Sequence, residues 1–316
     1  MIKLGIIGLG RMGGYHASVC SQLNSINFFA VADPSEQAWD KVKKPDVLKS
    51  PDYTQWIDSV DAVIIALPTE LHYPVAKDCL LRRKHVLVEK PLTKTIDQAT
   101  ELFSIADQNN VVLHVGHVER FNGAVQELKK ILDTPYLIEC HRMGPFDPRV
   151  QNDSVVLDLM IHDLDIVINM VNSPIKKLSA HGTKVHSQNC DIASVQLTFE
   201  NGVIANIISS RASQIKKRTM AIHQQNEFIL LDFATQDITI HRQANSSVQV
   251  GADQVKYKQA SIIEHLFIYK DNPLKHEIEH FINAIKTQEN MHNQEQDIVA
   301  LKVVFEIEKQ LGLRGI

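Results

Sequence analysis

Four cysteines in 316 residues, Cys20, Cys79, Cys140 and Cys190, share no paired spacing and build neither a disulfide framework nor a zinc site. Reduced, inert thiols are expected, and no structural metal. Charge of one sign is also in short supply: the formal net charge is −4, so no global basic field draws nucleic acid. The small basic clusters, Lys41, Lys43 and Lys44 and then Lys216, Lys217 and Arg218, read as solvated surface. Apolar runs such as 62–68 fall far short of the ~20 residues that a membrane span needs. A first strand that begins at residue 2 leaves no room for a signal peptide, and a cytoplasmic location is the expectation. Repeats and low-complexity tracts are lacking too. With 44% hydrophobic and 22% charged residues the composition excludes a disordered or fibrous chain, and the length suffices for two domains.

What is present starts at the first residues. The apolar run Ile2, Leu4, Ile6 and Ile7 reads as a buried strand and leads directly into Gly8, Gly10 and Gly13. In a strand-turn-helix a first glycine opens the tight turn, a second lets backbone approach a pyrophosphate, and a third lets the helix pack close to its strand. The helix N-terminus, opened by Arg11 and Met12, offers N–H groups and positive dipole to phosphate. A second apolar strand from Phe28 to Val31 ends near Asp33, twenty residues beyond Gly13, where a carboxylate accepts both ribose hydroxyls. The same carboxylate, about 4 Å from a 2′-phosphate, would repel it by roughly 1 kcal/mol or more. NAD is therefore expected over NADP.

Up to about residue 120 short apolar strands, near 2–8, 28–33, 62–67, 86–89 and 111–115, alternate with amphipathic helix-length segments. That is the rhythm of an α/β fold, a doubly wound parallel sheet of the Rossmann kind. From about 174 to 258 the period becomes two, with Val195, Leu197 and Phe199, then Asn201-Gly202, then Val203, Ala205 and Ile207, a hairpin expected to carry a primed turn. Further strands are expected near 218–223, 227–233 and 236–241, and helices near 274–287 and 295–311. The expected organisation is a dinucleotide-binding domain over 1–120, and over 121–316 a C-terminal α/β domain with a large, open, mainly antiparallel sheet. A sheet covered on one face leaves the other needing a partner unless that face is polar. A homo-oligomer, dimer or tetramer, is expected through it, with a solvated face as the rival reading.

Two places hold residues that could do chemistry. Strand Val86 to Val88 runs into Glu89-Lys90-Pro91, placing Lys90 at the carboxyl edge of a parallel sheet, where such folds bind ligands. The following proline restricts Lys90 to extended backbone and permits a cis peptide; the rival reading is a surface lysine. Asp158 and His162 lie four apart within an apolar periodic stretch from Val155 to Val171. On a helix they share a face, so the carboxylate can orient the imidazole and make it a better proton acceptor. A structural histidine beside a solvated aspartate is the alternative. No third and fourth ligand for a metal can be identified.

The glycine turn, Asp33, the stretch ALPTELHYPVA from Ala66, EKP at Glu89, and Asp158 with His162 together resemble the Gfo/Idh/MocA oxidoreductases, over essentially the whole chain. The resemblance implies that Lys90, Asp158 and His162 line a substrate hydroxyl beside the nicotinamide. It also implies that Pro68, Thr69 and His72 lie along the cofactor and that Glu89 contacts the nicotinamide ribose. VGHVERFN, HRMGPF and VVLDLMIHDLDI further resemble the branch acting on C3 of UDP-N-acetylglucosamine, whose keto product a partner aminotransferase aminates. Asn122 joins the substrate-binding set on that basis. Met160 and Gln224-Gln225-Asn226 depart from the family pattern, where glycine or alanine and a glycine-bearing turn are usual; a bulky Met160 would reshape the pocket floor. Arg120, Arg142 and Arg149 are the local candidates for a diphosphate, Arg120 first, each with a structural or surface role as its rival. The function expected is NAD-dependent oxidation of a sugar hydroxyl. An inositol or free-sugar dehydrogenase, or a nonenzymatic NAD-binding sensor, are the alternatives.

Overall fold

The computed structural model describes residues 1–148, 153–250, 255–288 and 294–313. Arg149 lies outside them. The described chain forms two compact units: Met1–Phe121 with Asp271–Leu301, and Asn122–Lys270 with Lys302–Ile316.

The first unit is built on six strands, β1 (Ile2–Ile7), β2 (Ile26–Ala32), β3 (Leu48–Ser50), β4 (Ala62–Ile65), β5 (His85–Glu89) and β6 (Leu113–Gly116), all parallel, in the order β3-β2-β1-β4-β5-β6. That order is doubly wound, with its switch point between β1 and β4, where such sheets take their ligands. Helices α1 (Arg11–Cys20), α2 (Thr69–Leu81) and α3 (Ile96–Asn109) connect the strands. Local signals set their limits: Thr95 caps α3 by accepting from Gln98 N–H, and Asn110, left-handed at φ 53°, ends it.

The expected boundary at residue 120 assigns everything later to the second domain, and here the structure differs. Helix α6 (Pro273–Thr287), started by an Asn272 cap and Pro273, buries Leu274, Ile278, Phe281 and Ile282 in one cluster with Leu4, Ile6, Ala17 and Phe28. Its apolar stripe matches the surface of α1 and β1, which sequence distance conceals.

The second unit centres on eight strands, in the order β14-β13-β12-β11-β7-β10-β9-β8. These are β7 (Pro135–Met143), β8 (Ile175–Thr183), β9 (Ile192–Phe199), β10 (Ile204–Ser210), β11 (Lys217–Gln224), β12 (Glu227–Asp232), β13 (Asp237–Val250) and β14 (Val255–His265). All pairs are antiparallel except β7 with β10. Helix α4 (Gly123–Ile131) lies against β12 and β13, and α5 (Ile161–Val171) against β7 and β10. The outer face of the central strands mixes polar and apolar side chains: Gln196 Nε2 donates to Asn206 Oδ1 (2.9 Å), near Glu139, His181, Ser194 and Ile208, and Ile204 is exposed. The last helix, α7, spans Gln294–Gln310. No helix among the described residues is long and apolar enough to cross a membrane.

Two turns correct or clarify the sequence reading. The β9–β10 connection is not a two-residue primed turn. Phe199 N–H reaches the Val203 carbonyl (2.9 Å), and of the Asn-Gly pair only Gly202 has positive φ, +89°. That is a three-residue loop with a left-handed glycine. Between β11 and β12 the turn lacking glycine is closed by Asn226 at φ 136°. All four cysteines are buried free thiols, and burial pushes those of Cys20, Cys79 and Cys140 far up.

Backbone comes close to backbone at the first turn. Gly8 adopts φ +91°, and a Cβ added to Gly13 would stand 1.9 Å from the Gly8 carbonyl oxygen. Backbone cannot yield as a side chain can, so Gly13→Ala should cost about 3 kcal/mol, near the top of the overpacking range. Urea unfolding checks this; an unchanged midpoint would mean that α1 is not held against β1 as described.

Candidate active site

In the first unit the sheet's carboxyl edge organises itself around Asp33. Its Oδ2 accepts from Leu9 N–H (2.7 Å) inside the glycine turn, and its Oδ1 from Ser35 N–H (2.9 Å). Gly8 N–H bonds to the Ala32 carbonyl (2.8 Å), so turn and strand end are fixed to each other. An ionised carboxylate has about four lone-pair positions, which leaves room for two ribose hydroxyls. Trp39 Nε1 donates to the Asp33 carbonyl (3.1 Å), and Lys41 Nζ donates to the carbonyls of Gly10 (3.1 Å) and Leu9. Lys41 lies on the surface as expected, and its ammonium is also docked on the glycine turn.

Helix α1 has no side-chain cap and no acidic residue in its first turn, and no atom lies within 4 Å of where a Cβ on Gly10 would stand. Its donors and dipole thus face open ground. Arg11 Nε reaches its neighbour Tyr15 Oη (3.3 Å), while Met12 packs against the core.

At the tip of β5, Glu89 is buried with Oε1 2.7 Å from Nε2 of His16, on α1. The Lys90-Pro91 peptide is cis, and Lys90 is half-buried. Pro68 precedes α2 and Thr69 starts it. His72 was expected along the cofactor, but it is 1% exposed, its ring nitrogens 2.8 Å from the carbonyls of Pro91 and Leu67. Burial holds its pKa below the ordinary histidine value. It braces the loop that carries Lys90.

Arg120, also in this unit, is buried with its guanidinium on Asp297. The structural reading replaces its assignment to a diphosphate. Behind β5 and β6 lies a group that sequence reasoning missed: Glu277 of α6, without exposed surface, its Oε1 3.8 Å from His114 Nε2. Burial raises its pKa to about 8, with Glu89 adding to the rise and His16 and Arg120 opposing it. His16 also went unread, although it lies on the inner face of α1 with Gly13, Ala17 and Cys20.

In the second unit the expected helix over 155–171 begins as a π-turn, Val156–Met160, before becoming α5. Such turns are rare and concentrate at functional sites. Asp158 lies in the π-turn and His162 in the first turn of α5; both are half-buried. Ser154 anchors the start: its carbonyl accepts from Asp158 N–H (3.0 Å), its Oγ from Leu157 N–H (3.3 Å), and its Oγ–H donates to Glu308 (2.6 Å). Met160, expected at the pocket floor, has no exposed surface and belongs to the core.

Arg142 is corrected in the same way as Arg120. Its fork grips buried Asp163, Nε at 3.0 and 3.1 Å and Nη2 at 2.8 Å, and the guanidinium stacks on Phe233 (4.9 Å). Removing one partner of such a pair costs roughly 3–5 kcal/mol, so Arg142 is committed to holding α5 on β7. Asn122, also expected at the substrate, is buried: it caps α4 through Ala124 N–H (3.1 Å) and donates to the Phe233 carbonyl (3.0 Å).

Two family models match the chain: the oxidoreductase family with NAD-binding Rossmann fold over residues 2–117, and the GFO/IDH/MocA C-terminal domain over 125–229. The chain belongs to the Gfo/Idh/MocA family. Among members of this family, the UDP-N-acetylglucosamine 3-dehydrogenase of Acidithiobacillus ferrooxidans is 30% identical over 90% of this chain and 88% of its own. The scyllo-inositol 2-dehydrogenase (NAD(+)) of Bacillus subtilis is 23% identical over 83% and 84%. A solved structure of the Acidithiobacillus enzyme superimposes with a TM-score of 0.88 at 27% identity, covering 98% and 97% of the two chains. Scyllo-inositol dehydrogenase from Lactobacillus casei, solved with NAD(H) and scyllo-inositol, shares the fold at TM-score 0.79 and 18% identity.

Membership makes the chain an oxidoreductase with NAD as cofactor. The uncapped α1, the open ground at Gly10 and the inward-anchored Asp33 fit that cofactor. With Asp33 as described, NADH should bind about tenfold or more tighter than NADPH, and Asp33→Asn should narrow the gap. Fluorescence titration checks this; equal affinities in the unaltered protein would remove Asp33 from cofactor choice.

Proposed function

We propose that this protein oxidises a secondary hydroxyl of a sugar ring, C3 of UDP-N-acetylglucosamine, to the ketone. The observation that carries the reading is the match to the Acidithiobacillus UDP-N-acetylglucosamine 3-dehydrogenase over nearly the whole of both chains, in sequence and in fold. Bound NAD supplies the acceptor for the hydride that leaves the carbinol carbon. The C–H and O–H bonds break and a carbonyl forms. His162 takes the hydroxyl proton, Asp158 orients and tunes the imidazole, and Lys90 donates a hydrogen bond to the oxygen as charge develops on it. The brace from His72 to Pro91 supports the aim of Lys90. Assembly of copies through the eight-stranded sheet belongs to the same reading.

One observation favours a second reading, an inositol or free-sugar dehydrogenase. Arg120 and Arg142 are spent on internal aspartates, so two candidates for a diphosphate are gone. NADH formation with UDP-N-acetylglucosamine and with myo-inositol separates the two, and UDP alone should raise the melting temperature only under the first. No NADH with either, while NAD still binds, would point to a sensor. Lys90→Ala should lower turnover by ~10²-fold or more, as expected for a lost positioned group, with NAD affinity nearly unchanged. Equal turnover would take Lys90 out of the mechanism.

A further inference from the structure

Glu277 occupies an unusual position for a carboxylic acid. It is wholly buried on α6, and neither carboxylate oxygen accepts a hydrogen bond from a described residue. The groups around it come from four other elements of the first unit and from its own helix. His16 lies on α1, Glu89 at the tip of β5, His114 on β6 with Nε2 at 3.8 Å, and Arg120 in the short turn after β6. His280, one turn along α6, has its ring 5.7 Å from that of His114, and burial pushes its pKa down to about 4, so it is neutral. Arg120 is engaged by Asp297. What remains is two carboxyls that feel each other's charge, Glu89 with His16 beside it and Glu277 with His114 beside it.

We propose that Glu277 is a positioning residue that must carry a proton for the dinucleotide to be held, acting through Glu89 and His16 on the tip of β5 and the phosphate-binding helix. With Glu277 neutral, the site holds one carboxylate, fixed by His16 across 2.7 Å. Loss of the Glu277 proton puts a second negative charge behind the helix whose N-terminus must receive a pyrophosphate. The dinucleotide therefore binds the protonated form preferentially, and by linkage raises the affinity of Glu277 for its proton. The inference needs dinucleotide binding by the first unit and is independent of the sugar.

The test is the NADH dissociation constant of the full chain from pH 6.5 to 9.5 at fixed ionic strength, for the unaltered protein and Glu277→Gln. The unaltered protein should show a constant value to near pH 8 and then a rise approaching about tenfold per pH unit, the limit for one linked proton. Glu277→Gln, whose amide cannot ionise, should vary by less than about twofold across the range, which one unlinked site permits. A flat curve for the unaltered protein, or the same rise in both, overturns the proposal. If Glu277→Gln does not fold, the carboxyl-carbon NMR titration of Glu277 decides with and without NADH: a higher pKa in the complex supports the proposal, and equal values overturn it.

Discussion

The close approach of α1 to β1 is the constraint on which the rest of the first unit depends. Any side chain at Gly13 would occupy the space of the Gly8 carbonyl, so the helix comes within reach of the sheet only because neither residue has one. That approach puts the α1 N-terminus beside the end of β2, where Asp33 bonds to Leu9 N–H, and brings His16 against Glu89. The anchoring of Asp33 on the glycine turn and the contact of His16 with Glu89 thus derive from one backbone approach. Lys41 and Trp39 then hold the turn from the far side.

Buried charge is distributed by a consistent rule. Arg120 with Asp297, Arg142 with Asp163 and Arg211 with Asp191 are dry pairs, and each fixes a piece of scaffold. Asp191 Oδ2 also accepts three successive backbone N–H groups, from Val185, His186 and Ser187. Lys90, Asp158 and His162 are only half-buried. The arginine–aspartate pairs that fix structure are dry, and the three groups proposed to handle the sugar hydroxyl are not.

The features legible in the sequence were local ones. The glycine spacing, the interval to Asp33, the strand into Glu89-Lys90-Pro91 and the Asp158/His162 pair each lie within a few turns of chain. What escaped was decided by partners far away. Arg120 looks like a phosphate ligand until Asp297, 177 residues on, closes over it. Helix α6 reads as part of the second domain until its apolar stripe meets β1 and α1. Strand β7 escaped although Ile138, Cys140 and Arg142 are buried at period two, because an arginine at the third position breaks the apolar alternation. His72 was assigned to the cofactor by resemblance, and only the two carbonyls beside its ring show a brace. The π-turn at Asp158 has no composition signal at all.

The central claim is that NAD receives hydride from the carbinol carbon of one sugar position. It is tested most directly by supplying UDP-N-acetylglucosamine deuterated at C3 together with NAD and examining the reduced cofactor by mass spectrometry. The account predicts one deuterium in the NADH and a keto group at C3 of the sugar. Unlabelled NADH, or deuterium retained in the sugar while NADH forms, would contradict it.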